Sequence, residues 1–325
     1  MTTWIAGVDA GGTHTVAVAC NLDTGELRET ETGPGNPWSA GSLAAGTAIE
    51  EALAGVLALA GVHPHELAAA VLGVAGNGRL GLPPDFAQHI EAWGLPARTR
   101  VTSDLVIAAA STLGREPGVH LIAGTGSVVG VQHAPGRLEQ IGGWGWFLGD
   151  PGSAFDLGHR ALRWWAGVSD GLAGDAILEA RLQAATGEQS LADVAERCTR
   201  PDTERAWIGR LGAQVPIAAE AGSAVARALL DASLEGLAWE IGGARDRLEG
   251  SARVWCGLSG GMARSPEYLS LLRVRLETLA GRFLGLRVAS RPVHGALLLA
   301  ESTLDRSPMV EKIVRDLLPT CLTFD

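Results

Sequence analysis

An apolar strand that enters a glycine/threonine turn and leaves as a second strand occurs twice in this chain, and that repetition constrains the fold most. The first copy is Trp4-Ile5-Ala6-Gly7-Val8-Asp9-Ala10-Gly11-Gly12-Thr13-His14-Thr15-Val16-Ala17-Val18-Ala19-Cys20. The second is Val119-His120-Leu121-Ile122-Ala123-Gly124-Thr125-Gly126-Ser127-Val128-Val129-Gly130-Val131. Small and β-branched residues follow each turn with no helix signal between, so each copy reads as a hairpin. A Rossmann fingerprint or a P-loop needs its glycines to open a helix, and neither spacing is present. In a hairpin Gly11 and Gly12 are free to take positive φ. Their bare N–H groups, with the Thr13 hydroxyl, can then face an anion. Asp9 has the opposite polarity and belongs beside phosphates only with a cation between them. Self-similarity of this kind marks a duplicated unit, with a boundary near Arg115-Glu116-Pro117-Gly118.

A chain of 325 residues is long for one core, so two domains are expected. The net charge of −10 argues against a nucleic-acid or anionic-membrane surface. A polyphosphate would have to be held locally, by backbone donors and a metal, because Lys312 is the only lysine. Cys20, Cys198, Cys256 and Cys321 are scattered, so a zinc or iron–sulfur site is not indicated by local spacing. Reduced thiols in a cytoplasmic protein are the expectation. The N-terminus lacks the basic region of a signal peptide, and no run reads as a membrane span.

In chain order, a glycine- and proline-rich loop, Gly33-Pro34-Gly35-Asn36-Pro37-Trp38-Ser39, leads into a helix striped by Leu43, Ile49, Leu53, Val56 and Leu57. Ala69 to Val74 reads as a strand, Pro83 to Trp93 as a helix, and Arg98 to Thr102 as a strand. That last strand delivers Ser103-Asp104 to an alanine-rich helix, Leu105 to Leu113. After the second hairpin comes Gly142-Gly143-Trp144-Gly145-Trp146-Phe147-Leu148-Gly149-Asp150-Pro151-Gly152-Ser153. Helices are expected near 153–166, 172–186, 190–198 and 222–249. Val254 to Leu258 is a strand running into Ser259-Gly260-Gly261. A helix from Pro266 to Gly281, a strand from Leu286 to Ala289, a helix from Gly295 to Ser302 and a last amphipathic helix from Pro308 to Leu318 complete the chain. Strands followed by strand–helix alternation indicate a mixed sheet flanked by helices.

In this order the motifs resemble the phosphate-1, phosphate-2 and adenosine motifs of the actin-like and sugar-kinase ATPases. Within that superfamily the chain is most similar to the N-acetylglucosamine kinase and glucosamine kinase family, which includes the BadF/BadG/BcrA/BcrD-type ATPases. Asp9 to Thr13, Asn36-Pro37-Trp38, Thr102-Ser103-Asp104, Gly124 to Ser127, Gly142 to Gly145, Gly149 to Ser153, Ser259 to Gly261 and Gly295 to Ala300 carry the resemblance. It implies an α/β fold of two duplicated ribonuclease-H-like lobes with a nucleotide and sugar cleft between them. Residues 1–115, completed by a C-terminal helix in 305–325, would form one lobe, and 116–304 the other. Pro151 stands where the family usually has an acidic residue, and Pro37 where it often has histidine. Both border sugar contacts, so they bear on which sugar is taken.

The resemblance also implies roles. Asp104 would be the catalytic base, although the same position suits a helix N-cap. Asp9 would hold Mg²⁺ through water, as suits a hard cation that shares one carboxylate with phosphates. Gly11, Gly12, Thr13, Gly124, Thr125, Gly126, Gly260 and Gly261 would bind ATP. Asn36, Trp38, Asp104, Thr125, Gly143, Trp144, Gly145 and Asp150 would bind the sugar. Asp150 before Pro151 also fits an N-cap followed by a first-turn proline. Trp164 and Trp165 read as packing or dimer contacts, and His14 as a strand-flank residue outside the chemistry. The implied function is ATP-dependent phosphorylation of the 6-hydroxyl of N-acetylglucosamine or glucosamine by a homodimer. The alternatives are an ATPase activator subunit of an acyl-CoA reductase or dehydratase, and a non-catalytic ATP and sugar sensor. A DNA-binding sensor would need a helix-turn-helix ahead of the first hairpin.

Overall fold

The computed structural model describes residues 2–79, 81–188, 190–200, 205–250, 252–279, 281–289, 291–304, 309–310 and 321–324. The first hairpin is β1 (Trp4–Ala10) and β2 (Thr15–Asn21), extended by β3 (Leu27–Thr32). Helices α1 (Pro37–Ala40) and α2 (Ser42–Ala60) lead to β4 (Ala69–Val74). Then come α3 (Pro84–Ala92), β5 (Thr99–Ser103) and α4 (Asp104–Leu113). These strands form a sheet of order β3-β2-β1-β4-β5, antiparallel through the hairpins and parallel from β1 to β5.

The second hairpin is β6 (Gly118–Ala123) and β7 (Ser127–Ala134), extended by β8 (Arg137–Gly142). A helical segment follows: α5 (Ala154–Ser169), α6 (Ala176–Thr186), α7 (Leu191–Thr199), α8 (Arg205–Gly212), α9 (Gln214–Glu220) and α10 (Ala224–Arg245). Then β9 (Val254–Ser259), α11 (Pro266–Glu277), β10 (Phe283–Val288), α12 (Val293–Glu301) and β11 (Cys321–Thr323) close the chain. The second sheet runs β11-β10-β9-β6-β7-β8 and repeats the strand directions of the first. The duplication read from the two glycine turns is therefore a duplication of topology. Helices α8 and α9 and strand β8 lie outside the elements that the sequence suggested.

Side-chain alternation along β1 explains the layering. Trp4, Ala6, Val8 and Ala10 join a cluster with Ile49, Leu53 and Val56 of α2. Ile5 faces the other way, into a cluster with α4 and α12. Gly7 lies on that second face, and a Cβ there would stand 2.9 Å from Ala296 Cβ. Gly73 of β4 does the same against Ile107 of α4. Helices α4 and α12 thus lie between the two sheets, because glycines on the strands let them come close. By length and composition α2 could cross a membrane, contrary to the expectation of no such run. Its stripe of Ala45, Ile49, Ala52, Leu53 and Val56 instead covers the first sheet.

Of the tail expected to complete the first lobe, Val310 is buried in the first sheet's inner cluster, and 311–320 lie outside the described residues. Cys321–Thr323 pairs with β10, so the end of the chain adds a strand to the second sheet rather than continuing a first-lobe helix. Trp165 is part of the second sheet's core, and the half-buried Trp164 packs against that core.

Candidate active site

Asp9 follows Ile5 and Gly7 on the inner face of β1, so it emerges at the strand end that faces α4. Asp104 is the first residue of α4. Ser103, not Asp104, is the N-cap residue. One Asp104 carboxylate oxygen accepts from the Leu105 N–H at 2.9 Å. Burial pushes the Asp9 carboxyl up to about 7, and the Asp104 charge adds to that shift. Burial also raises Asp104 to about 6, against backbone donors that favour the ion. Among the described residues no ion pair reaches either carboxylate. Two desolvated carboxylates without a cation suit a divalent metal ion. No third His, Cys, Asp or Glu joins them among the described residues, so such an ion would draw its other oxygens from phosphate and water.

The fold favours the protonated form of Asp9, since its pKa is raised. That contribution is complete below the ordinary value of 3.8 and is lost as pH rises through about 7. Asp9→Asn, which removes the charge, is therefore expected to raise the melting temperature of the free protein more at about pH 8 than at about pH 5. A thermal-melting series across pH checks it.

The first turn is closed by the Gly11 N–H donating to the His14 carbonyl at 2.9 Å, and Gly35 N–H ties the next loop to Gly11 at 2.9 Å. His14 is exposed, and its ring Nδ1 lies 2.9 Å from the Thr13 hydroxyl. Gly11, Gly12, Gly124 and Gly126 do not adopt the positive φ that a glycine turn allows. Gly126 has no room for a side chain, since a Cβ there would stand 2.6 Å from an Asp150 carboxylate oxygen, and other turn glycines leave the backbone bare. A Cβ on Gly12, Gly124 or Gly261 would meet nothing within 4 Å. These backbones border open space, where an anion can approach N–H groups without side-chain interference. Gly260 differs: its φ is +99°, and a Cβ would stand 2.3 Å from the Ala123 carbonyl oxygen. The Ser259–Gly261 turn therefore backs directly onto the end of β6, one residue before Gly124.

Helix α5 begins at the second turn. Its Ala154 and Phe155 N–H groups donate to the Gly124 and Thr125 carbonyls at 2.9 and 3.1 Å. Ser153, not Asp150, caps this helix, by accepting from Asp156 N–H at 3.1 Å. Asp150 has φ +60°, the one positive φ of a non-glycine residue among the described residues. It is buried, and its carboxylate lies against Gly126, 3.1 Å from Arg205 of α8. Burial raises its pKa, opposed by Arg205 and by backbone donors. Such a strained backbone persists only where its surroundings enforce it. Gly152 N–H donates to Ser233 at 3.1 Å, and the buried Tyr268 hydroxyl donates to Gly152 O at 2.9 Å.

Asn36 caps α1 by accepting from Trp38 N–H at 2.9 Å, and Trp38 Nε1 donates to Gly81 O at 3.0 Å. Gly76, at the end of β4, lies against both side chains. Gly142, Gly143 and Gly145 have φ of +67°, +63° and +85°, and Trp144 between them is exposed.

Sequence reading passed over three residues here. Arg205 follows a segment with no motif. Arg79 sits in an unremarkable turn. Glu240 lies mid-helix in Leu237-Ala238-Trp239-Glu240-Ile241; its Oε2 is buried without a partner beside Gly142. Burial, then the Asp150 charge, raises it to about 7. A lone carboxylate inside an apolar helical run is the only trace of this in the sequence.

The model of a family described as the BadF/BadG/BcrA/BcrD ATPase family matches residues 6–300. Over 160 residues the chain is 30% identical to an N-acetylmuramic acid/N-acetylglucosamine kinase of Clostridium acetobutylicum, covering 49% of this chain and 52% of that protein. Over 166 residues it is 28% identical to an N-acetyl-D-glucosamine kinase of Dictyostelium discoideum, covering 48% and 52%. The chain thus spans about half the length of the curated relatives it matches. A solved structure from Chromobacterium violaceum, described as a candidate N-acetylglucosamine kinase, superposes with a TM-score of 0.74 at 26% identity, over 91% of this chain and 98% of that one. A ROK family glucokinase from Streptomyces griseus, solved with glucose and AMPPNP, superposes with a TM-score of 0.54 at 17% identity, over 93% and 99%, a likeness of fold alone.

Proposed function

The chain belongs to the BadF/BadG/BcrA/BcrD ATPase family, and from that premise we propose that it is an ATP-dependent kinase for the 6-hydroxyl of an amino sugar, N-acetylglucosamine or glucosamine. Its fold is the two-lobe α/β architecture of actin-like ATPases and ROK sugar kinases. We take the lobes to divide near residue 115, with nucleotide and sugar between them. The observation that carries the reading is the pair Asp9 and Asp104, both half-buried with carboxyls raised by burial, at the strand and helix ends beside the first glycine turn.

In this mechanism Asp104 accepts the proton of the sugar hydroxyl as that oxygen bonds to the γ-phosphorus and the bond to the ADP oxygen breaks. Asp9 would hold Mg²⁺ through water; when bound, the ion supplies charge neutralisation for the phosphates. The two turns would supply backbone N–H donors around the phosphates from Gly12 and Thr13 on one side and Thr125 and Gly126 on the other, while the N–H groups of Gly11 and Gly124 donate to the His14 and Gly126 carbonyls and close the turns. Gly260 and Gly261 would leave room for the nucleoside. Asn36, Trp38, Gly143, Trp144, Gly145 and Asp150 would form the sugar side. Enclosure between lobes would exclude water and limit wasteful hydrolysis. A homodimer remains part of the reading, to be checked by sedimentation. An activator of an acyl-CoA reductase would use cysteines to hold a cluster between subunits, whereas Cys20 and Cys256 are buried in separate sheets and the exposed Cys198 and Cys321 lie on different elements, α7 and β11.

A coupled assay of ADP release with Mg·ATP over N-acetylglucosamine, glucosamine, N-acetylmannosamine and glucose tests the reading; no stimulation by any hexosamine would sink it. Turnover should rise with pH through about 6, where Asp104 loses its proton. Asp150→Gly removes the strain of a positive φ and also the carboxylate. It should leave the melting temperature equal or higher while raising the sugar KM about tenfold or more. A sugar KM unchanged in this variant would remove Asp150 from the sugar site.

A further inference from the structure

One short loop after β4 touches both faces of the proposed sugar site. On the first-lobe side, a Cβ on Gly76 would lie 2.6 Å from Trp38 and 3.1 Å from Asn36 Oδ1, and Gly81 O accepts the Trp38 indole N–H at 3.0 Å. On the second-lobe side, Gly78 lies against the Gln140 side chain. Arg79 goes further across. Its Nε donates to Gly142 O at 3.1 Å, and its terminal nitrogen to Gln140 O at 3.3 Å. Its guanidinium carbon is 3.8 Å from the centre of the Trp144 ring.

The glycine-tryptophan turn needs such an anchor. Three of the residues 142–145 are glycines at positive φ, and glycine backbone has the most freedom to lose. Trp144 is 59% exposed, so packing within its own lobe does not fix the ring. A planar guanidinium can stack on an indole face and donate sideways to carbonyls at once, which an ammonium cannot.

We propose that Arg79 is a positioning residue that latches the glycine-tryptophan turn of the second lobe to the Asn36–Trp38 loop of the first, so that the two faces of the sugar site are set by one arginine. This rests on the amino-sugar kinase reading for its effect on catalysis, but the latch itself is a property of the free protein. Binding energy from sugar would then not be spent on ordering Trp144.

The test compares wild type, Arg79→Ala and Arg79→Lys by hydrogen exchange of peptides covering 142–149 without ligand, and by steady-state kinetics with sugar and ATP varied separately. In Arg79→Ala, exchange in 142–149 should speed up, the sugar KM should rise about tenfold, and the ATP KM and melting temperature should stay unchanged. Arg79→Lys should resemble Arg79→Ala. Adding Arg79→Ala to Trp144→Ala should raise the sugar KM no further. Unchanged exchange in Arg79→Ala overturns the latch whether or not wild type phosphorylates any sugar. An ATP KM that rises with the sugar KM overturns it too, as a general loosening. Wild type that exchanges as expected but shows no sugar-dependent turnover overturns the kinase reading alone.

Discussion

Asp104→Asn is expected to lower kcat about 10²–10⁴-fold while changing the sugar KM only slightly. The amide keeps the size of the carboxylate and its oxygen can still accept from Leu105 N–H, so the start of α4 has no reason to shift. What goes is the proton acceptor. The remaining rate would reflect positioning and charge neutralisation around the phosphates, which carry most of phosphoryl transfer. Two further readouts separate this from damage to the fold. The acid limb of the pH profile near 6 should vanish, because the group that titrates there is gone. The free protein should melt no lower, and at high pH should melt higher, because a desolvated charge beside Asp9 is removed. A kcat within tenfold of wild type would exclude Asp104 as the base. A variant that binds sugar without turnover would also dispose of the sensor alternative, since wild type would then be a working enzyme.

Gly295→Ala should be the most damaging of the small substitutions considered. A Cβ at this position would stand 1.8 Å from the Ile107 carbonyl oxygen and 2.7 Å from Ser111 N, both backbone atoms of α4. Neither can move aside as a side-chain tip could. The α4–α12 crossing must open, and it lies between the two sheets with Ile107, Ala296 and Leu297 fully or almost fully buried. Overpacking of this kind costs about 3 kcal/mol or more. The chemistry should suffer with the stability, because α4 carries Asp104 at its first position. Gly243→Ala on α10 is the control: a Cβ there meets nothing within 4 Å, so the change should stabilise the helix by about 0.5–1 kcal/mol. Thermal or denaturant melts of both decide the matter. Equal melting temperatures for Gly295→Ala and wild type would mean that the two helices do not cross at this distance.

Much of the fold was legible because strand alternation and glycine turns are local signals. The hairpins, the strand–helix alternation and the helix that carries Asp104 each lie within a dozen residues of the residues that specify them. The site was less legible. Asp150 reads in sequence as an N-cap before a first-turn proline, yet Ser153 takes the cap and Asp150 turns back toward Gly126 and Arg205. The helix carrying Arg205 had no motif to announce it, and Glu240 and Arg79 both lie against Gly142, far from either in the chain. Gly11 and Gly12, free in a hairpin to take positive φ, do not take it; Gly12 borders open space, and a Cβ on Gly11 would stand 3.1 Å from the His14 carbonyl oxygen.

By itself the sequence determined the repeated unit, the order of its elements and the candidate residues of both turns. Hydrophobic period and turn chemistry act over a few residues and survive in any context. Only the tertiary structure decided that the Asp104 charge acts on Asp9, that Gly295 sets the distance between α4 and α12, and that Arg79 donates to Gly142 and stacks on Trp144. Those depend on desolvation and on close approach between segments remote in the chain, which no local pattern encodes.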